Sequence, residues 1–190
     1  GWLIYKNTFM LSSVYIVSQD GTIEISNKVN VIDKREYLPR FGYRFFLNKS
    51  FRELSFYGYG PHESYLDKHR STYKGIFNSK ISDMHEPYVK PQENGSHFGT
   101  EWVSIANGKI KISVFSNRNF SFNASEYTQE ELTKKNHNWE LKKSGSSVLC
   151  VDYKMSGVGS NSCGPYLLEK YQFNEKDFEF KFYIKPEIIK

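Results

Sequence analysis

Apolar side chains fall on alternate positions through most of the chain, the periodicity of half-buried β-strands. Val14-Tyr15-Ile16-Val17 is followed by Ile23, Ile25, Val29 and Val31, with Asp20-Gly21 between them to supply the φ > 0 residues of a tight hairpin turn. Trp102-Val103-Ser104-Ile105, Asn107-Gly108 and then Ile110, Ile112 and Val114 repeat that scheme. The last strand is the clearest: Phe178, Phe180, Phe182 and Ile184 share one face and Glu179, Lys181 and Tyr183 the other, after the polar turn Asn174-Glu175-Lys176-Asp177. Further strands are expected at 42–47, 53–59, 119–124, 147–153 and 167–173, and two long irregular stretches at roughly 60–101 and 156–166.

One segment departs from this period. Thr128 and Glu131 have the spacing of a capping box, and Tyr127 and Leu132 stand where a hydrophobic staple would sit, so a short helix is expected near 129–136. The prediction is therefore an all-β fold with one short helix. Composition sharpens it: 15 Phe, 14 Tyr and 3 Trp bring the aromatic share to 17%, and rings favour pleated, half-buried surfaces. The 25% charged residues and 38% hydrophobic residues exclude a disordered or collagen-like chain.

The net charge of +5 comes from scattered Lys and Arg, in pairs such as Lys134-Lys135 and Lys142-Lys143. Nucleic-acid binding needs a clustered basic stripe, so no nucleic-acid partner is expected. No window approaches the roughly 18 apolar residues of a membrane span, and no membrane partner is expected either. Gly1 opens the chain without Met, which reads as a piece of a longer polypeptide. Cys150 and Cys163 read as reduced thiols.

Three stretches carry candidate chemistry. In Tyr57-Gly58-Tyr59-Gly60-Pro61-His62-Glu63-Ser64-Tyr65, continuing to Asp67, Lys68, His69 and Arg70, acids and imidazoles could hydrogen-bond sugar hydroxyls while rings cover C–H faces. The other use of Glu63 and Asp67 is to satisfy loop N–H groups, with the tyrosines in the core. In Ser82–Gly95, with His97 and Gly99 beyond, two prolines and Asn94-Gly95 set the loop's shape. His85, Glu86, Glu93 and His97 match no metal signature, so no metal is expected. Glu63 and Glu93 could pair as glycosidase carboxylates only if roughly 5–9.5 Å apart. In Ser156-Gly157-Val158-Gly159-Ser160-Asn161-Ser162-Cys163-Gly164-Pro165-Tyr166, the glycines suggest close backbone approach. No phosphate-loop Lys follows, and Cys163 shows no partner base.

In order and spacing these stretches resemble the C-terminal domain of the large β-galactosidases of glycoside hydrolase family 2. The resemblance rests on Tyr57–Tyr65, Ser82-Asp83-Met84, Pro87-Tyr88-Val89, Pro91–Gly95, Gly99, Phe122–Thr128, Leu132, His137, Val151–Lys154 and Gly157–Pro165. It implies an antiparallel β-supersandwich of the galactose-mutarotase-like class, with residues 1–190 forming a single truncated domain that lacks upstream strands. It places the catalytic glutamates on a preceding TIM barrel, so no catalytic residue and no cofactor is expected in this chain. It also implies that the glycine-rich stretch reaches the substrate-pocket rim through Asn161, Ser162 and Cys163, the last standing where members carry a Trp. His62, Glu63, Glu93 and Asn94 remain candidates for a sugar cleft. The implied partners are the rest of the enzyme chain and a galactoside, in a cytoplasmic parent that assembles as a homo-oligomer.

Two other readings use the same residues. A stand-alone carbohydrate-binding module would bind sugar without hydrolysis. An aldose 1-epimerase would need a Glu base and a His acid at one anomeric centre, drawn from His62, Glu63, His85 and Glu93.

Overall fold

The computed structural model describes residues 8–32, 34–159 and 166–189. Among these described residues, nine antiparallel strands run in the order β1 (Phe9–Val17), β2 (Ile23–Val31), β3 (Arg40–Asn48), β4 (Glu53–Gly60), β5 (Tyr73–Lys80), β6 (Ser96–Ala106), β7 (Ile110–Ser125), β8 (Ser146–Met155) and β9 (Asp177–Ile188). Hydrogen bonding links β1-β2-β9-β7-β6-β4-β5, and a second layer is formed by β3 on β8, which joins the C-terminal part of β7. The strands expected at 110–114 and 119–124 are one strand. Its first half, Ile110–Phe115, pairs with β9, and its second, Ser121–Ser125, pairs with β8, so β7 carries the chain from one layer to the other.

The layers close face to face as a sandwich whose filling is aromatic. Tyr43 of β3 lies 5.2 Å from the Phe182 ring of β9, Phe41 meets Phe178 edge-on, and Tyr153 of β8 stacks on Phe178 at 4.8 Å. The alternation at Phe178, Phe180 and Phe182 thus points into the core, and Phe182 has no exposed surface. At the opposite extreme, among the described residues β1 pairs only with β2 and is exposed nearly throughout, with Val17 71% accessible.

Several expectations need correction. Only Gly21 and Gly108 adopt positive φ in the two hairpin turns; Asp20 and Asn107 instead accept hydrogen bonds from Thr22 N and from Lys109 N and Ile110 N. Their role is side-chain capping, in turns longer than two residues. The stretch 60–101 is not irregular throughout, since it contains β5 and the start of β6. Alternation was invisible in β5 because its less exposed positions are Gly75, Phe77 and Ser79. In early β6 it was hidden because Ser96, His97 and Thr100 are polar yet buried. Residues 167–173 are not a strand: turn bonds from Tyr171 N to Leu168 O and Gln172 N to Glu169 O make a short 3-10 helix, Glu169–Tyr171, and only a bridge from Phe173 to Leu38 remains. Its apolar residues Leu167 and Phe173 are anchors at either end of that turn.

The helix α1 spans Gln129–Lys134 and stops two residues short of the expected end. Thr128 Oγ1 accepts from Glu131 N, but the reciprocal half of the box is replaced, because Glu131 accepts from Lys142 N. The Glu140 carboxylate accepts from Asn136 N and His137 N and so draws the chain out of the helix.

Candidate functional site

The polar end of the sandwich gathers residues that are distant in sequence. Arg40, the first residue of β3, forks onto Asp152 of β8 through Nε at 3.2 Å and Nη2 at 2.5 Å, and its Nη1 reaches Glu93 Oε2 at 2.9 Å. Burial works against the Arg40 cation, but Asp152 and Glu93 more than offset it. Burial, reinforced by the charges of Asp152 and Glu63 and opposed by Arg40, pushes the Glu93 carboxyl up to about 7. Sequence reasoning missed Arg40. An isolated arginine after Pro39, paired with a residue 112 positions away, leaves no local signal.

Of the cleft candidates, Glu63 is fully engaged: it accepts from Lys68 Nζ, from the Tyr88 hydroxyl and from Gly95 N at 2.8 Å. Burial raises its pKa, but Lys68, Tyr88 and Gly95 outweigh burial and leave it below the usual carboxylate value. Asn94 faces inward and pins its own loop, accepting from Glu86 N and donating to Gln92 O, while its carbonyl takes the amide of Asn123. His62 is exposed. Glu63 thus serves as an acceptor for a loop N–H, and Asp67 does the same, receiving Val158 N at 3.1 Å and Gly159 N at 2.9 Å.

The glycine-rich stretch is held at its base from both sides. Ser156 Oγ donates to Leu38 O and accepts from Phe173 N, and Gly157 N donates to Tyr171 O. A Cβ on Gly157 would lie 2.5 Å from the Asp67 carboxyl, so glycine is what allows the close approach there. Asn161, Ser162 and Cys163 lie outside the described residues.

The histidines serve separate ends. His97 is sandwiched between Phe56 and Phe122, donates through Nδ1 to Tyr59 O, and is pushed down to about 4 by burial, so it is neutral. His85 meets Asn138 Oδ1 through Nε2, beside the Tyr127 ring. No group of three or more His, Cys, Asp or Glu that could hold a metal is found among the described residues. The Cys150 thiol is buried and pushed up to about 12, principally by that burial, which makes it inert as a nucleophile. Of the four epimerase candidates, Glu63 is saturated by protein donors, Glu93 is tied to Arg40 and His85 is paired with Asn138, so the geometry does not favour an epimerase. No helix among the described residues is long and apolar enough to cross a membrane.

By class, the described residues form a two-layer antiparallel β-sandwich with a polar end that fastens loops. The chain belongs to the β-galactosidase small-chain family, whose model matches residues 4–184. It is 49% identical over 170 residues to a β-galactosidase of Actinobacillus pleuropneumoniae, covering 88% of this chain and 16% of that protein. A Staphylococcus xylosus β-galactosidase is 40% identical over 169 residues, covering 89% of this chain and 17% of that protein. One from Kluyveromyces lactis is 39% identical over 148 residues, 76% of this chain and 14% of the relative. The chain spans about a sixth of the length of these curated relatives.

Proposed function

We propose that this chain is the small-chain portion of a β-galactosidase that cleaves terminal β-D-galactosides, and that it builds one wall of the substrate pocket while the bond-breaking carboxylates lie on a TIM barrel elsewhere in the enzyme. The observation that carries this reading is its identity to proteins named β-galactosidase of which it covers only 16–17%. Retaining hydrolysis needs two carboxyls facing one glycosidic bond; here Glu63 is saturated by protein donors and Glu93 is tied to Arg40. The exposed apolar strand β1 supports the presence of further protein against this edge.

In this reading Asn161, Ser162 and Cys163 form the pocket rim, carried on a base that Asp67 and Ser156 fix. The sandwich then belongs with the galactose-mutarotase-like folds, the enzyme with glycoside hydrolase family 2, and the parent is a cytoplasmic homo-oligomer. The test is nitrophenyl galactoside hydrolysis by the natural-length enzyme, with Asn161→Ala, Ser162→Ala and Cys163→Ala compared in KM and kcat. A KM rise in at least one variant supports the wall. Hydrolysis by residues 1–190 alone, or unchanged kinetics in all three variants, defeats it.

A further inference from the structure

Between the half of β7 that pairs with β9 and the half that pairs with β8 lies a short stretch paired to neither. Residues 116–119 have no partner in the register of β6, β8 or β9, and the register with β6 shifts on either side of Thr100. The Ser116 hydroxyl holds the irregularity, donating to Lys181 O and accepting from Arg118 N. Strand irregularities of this kind re-aim side chains and are over-represented beside functional sites. A cleft of about 550 Å³ opens beside this one, and Arg118, Asn119 and Ser121 line it.

The polar groups on the cleft's walls are unbalanced in one direction. Glu175 is the one carboxylate among the described lining residues, and it is already engaged: it accepts from the Tyr153 hydroxyl at 2.8 Å and is ion-paired with Lys154. Burial and Glu175 push the Tyr153 phenol up to about 12, and Arg118 lies near enough to act against them. Arg118 nevertheless has no carboxylate partner among the described residues, and the Asn119 amide and Ser121 hydroxyl make no side-chain hydrogen bond to them. The apolar part of the lining includes Phe98, whose ring is packed by Tyr59 at 5.9 Å and His69 at 5.4 Å, and Phe120, which is buried.

These groups select an anion. Two cations, Arg118 and Lys154, against one carboxylate leave the lining with a net charge of +1, and with Lys154 committed to Glu175 one guanidinium is left for a single anionic group. The guanidinium fork matches a carboxylate through two parallel N–H···O bonds, and Asn119 and Ser121 can add donors. The volume falls within the roughly 300–1,000 Å³ of small-molecule sites, and rings such as Phe98 receive flat apolar groups.

We propose that this cleft binds a small aromatic carboxylate, with the carboxylate on Arg118 and the ring against Phe98 and Phe120. The site shares no residue with the proposed rim at Asn161, Ser162 and Cys163, and it does not depend on the function proposed above.

The test uses the natural-length polypeptide and 4-fluorophenylacetate, whose ¹⁹F line broadens on binding a large protein. Saturable broadening is expected, reversed by phenylacetate and untouched by galactose. Phenylacetamide, the neutral isostere, is expected to compete about tenfold more weakly, and Arg118→Gln to weaken the probe by about the same factor. Arg118→Lys, which keeps the charge and loses the fork, is expected to fall between Arg118→Gln and the wild type. Arg118 is exposed, and thermal melting checks that its variants are folded. No saturable broadening where a millimolar site would be full, unchanged affinity in Arg118→Gln, or phenylacetamide binding as well as phenylacetate would each overturn the inference. Phenyl phosphate displacing the probe better than phenylacetate would overturn the ligand class, and displacement by galactose would move the probe to the substrate pocket and overturn the site.

Discussion

Glu93→Gln tests the electrostatics of the polar end through folding stability. The glutamate is displaced from 4.5 to about 7 by burial and by the charges of Asp152 and Glu63, against the pull of Arg40. Its side chain is 26% exposed, which leaves it mostly shielded. Between the two values the folded state holds a proton that the unfolded state has released, so the contribution of Glu93 to stability is present below pH 4.5 and lost as pH rises through 7. That displacement corresponds to at most about 3 kcal/mol. His97 works in the opposite sense. Its ordinary 6.5 is pushed down to about 4, so the unfolded state takes up a proton that the folded state refuses, and stability falls on acidification through that window. From about pH 4.5 to 6.5 the two slopes oppose one another and largely cancel. Glutamine at 93 cannot titrate. Urea unfolding of both proteins from pH 4 to 8 is therefore expected to show the variant gaining on the wild type as pH rises, by up to about 3 kcal/mol. A difference that is flat, or that shrinks with pH, would refute a raised Glu93.

Phe182→Ala empties a site with no exposed surface at the centre of the aromatic core, with an expected loss of about 3–5 kcal/mol by chemical denaturation. A loss below 1 kcal/mol would show that the layers can close over the gap. Gly157→Ala forces a methyl group to within 2.5 Å of the Asp67 carboxyl. Faster hydrogen exchange at Val158 and Gly159 is expected in this variant and in Asp67→Ala, and unchanged protection in both would remove Asp67 as the anchor of that backbone.

How much the sequence disclosed follows from where side-chain character and burial agree. At Phe178, Phe180 and Phe182 the apolar residue is the buried one, so period, strand and core face were all readable. Where burial and polarity part company the signal fails: Ser96, His97 and Thr100 are buried, and β5 turns two small residues and one Phe toward the interior. The capping signal at Thr128 located the start of α1, while its end depends on Glu140 bonding back to Asn136 and His137. Glu63 and Asp67 were legible as chemistry-bearing groups, and their service to loop N–H groups was one of two open uses. The pairing of Arg40 with Asp152 and Glu93 is set by β3 lying on β8, a long-range register that residue type alone does not encode.

The two ends of the sandwich hold the chain by different means, and the difference bears on how the base of the glycine-rich stretch, residues 156–159, is held. Aromatic packing around Phe182 supplies stability without direction, because apolar burial scales with area and tolerates small shifts. Hydrogen bonds to ionised or fully engaged groups fix both distance and angle. Asp67 on Val158 and Gly159, and Ser156 between Leu38 and Phe173, are bonds of this second kind. In the proposed pocket wall such a backbone needs its base specified in position, which an apolar core cannot do. The polar end therefore fixes Val158 and Gly159 in position, and beside it Glu93 Oε1 and the Tyr65 hydroxyl are buried with no hydrogen-bond partner among the described residues.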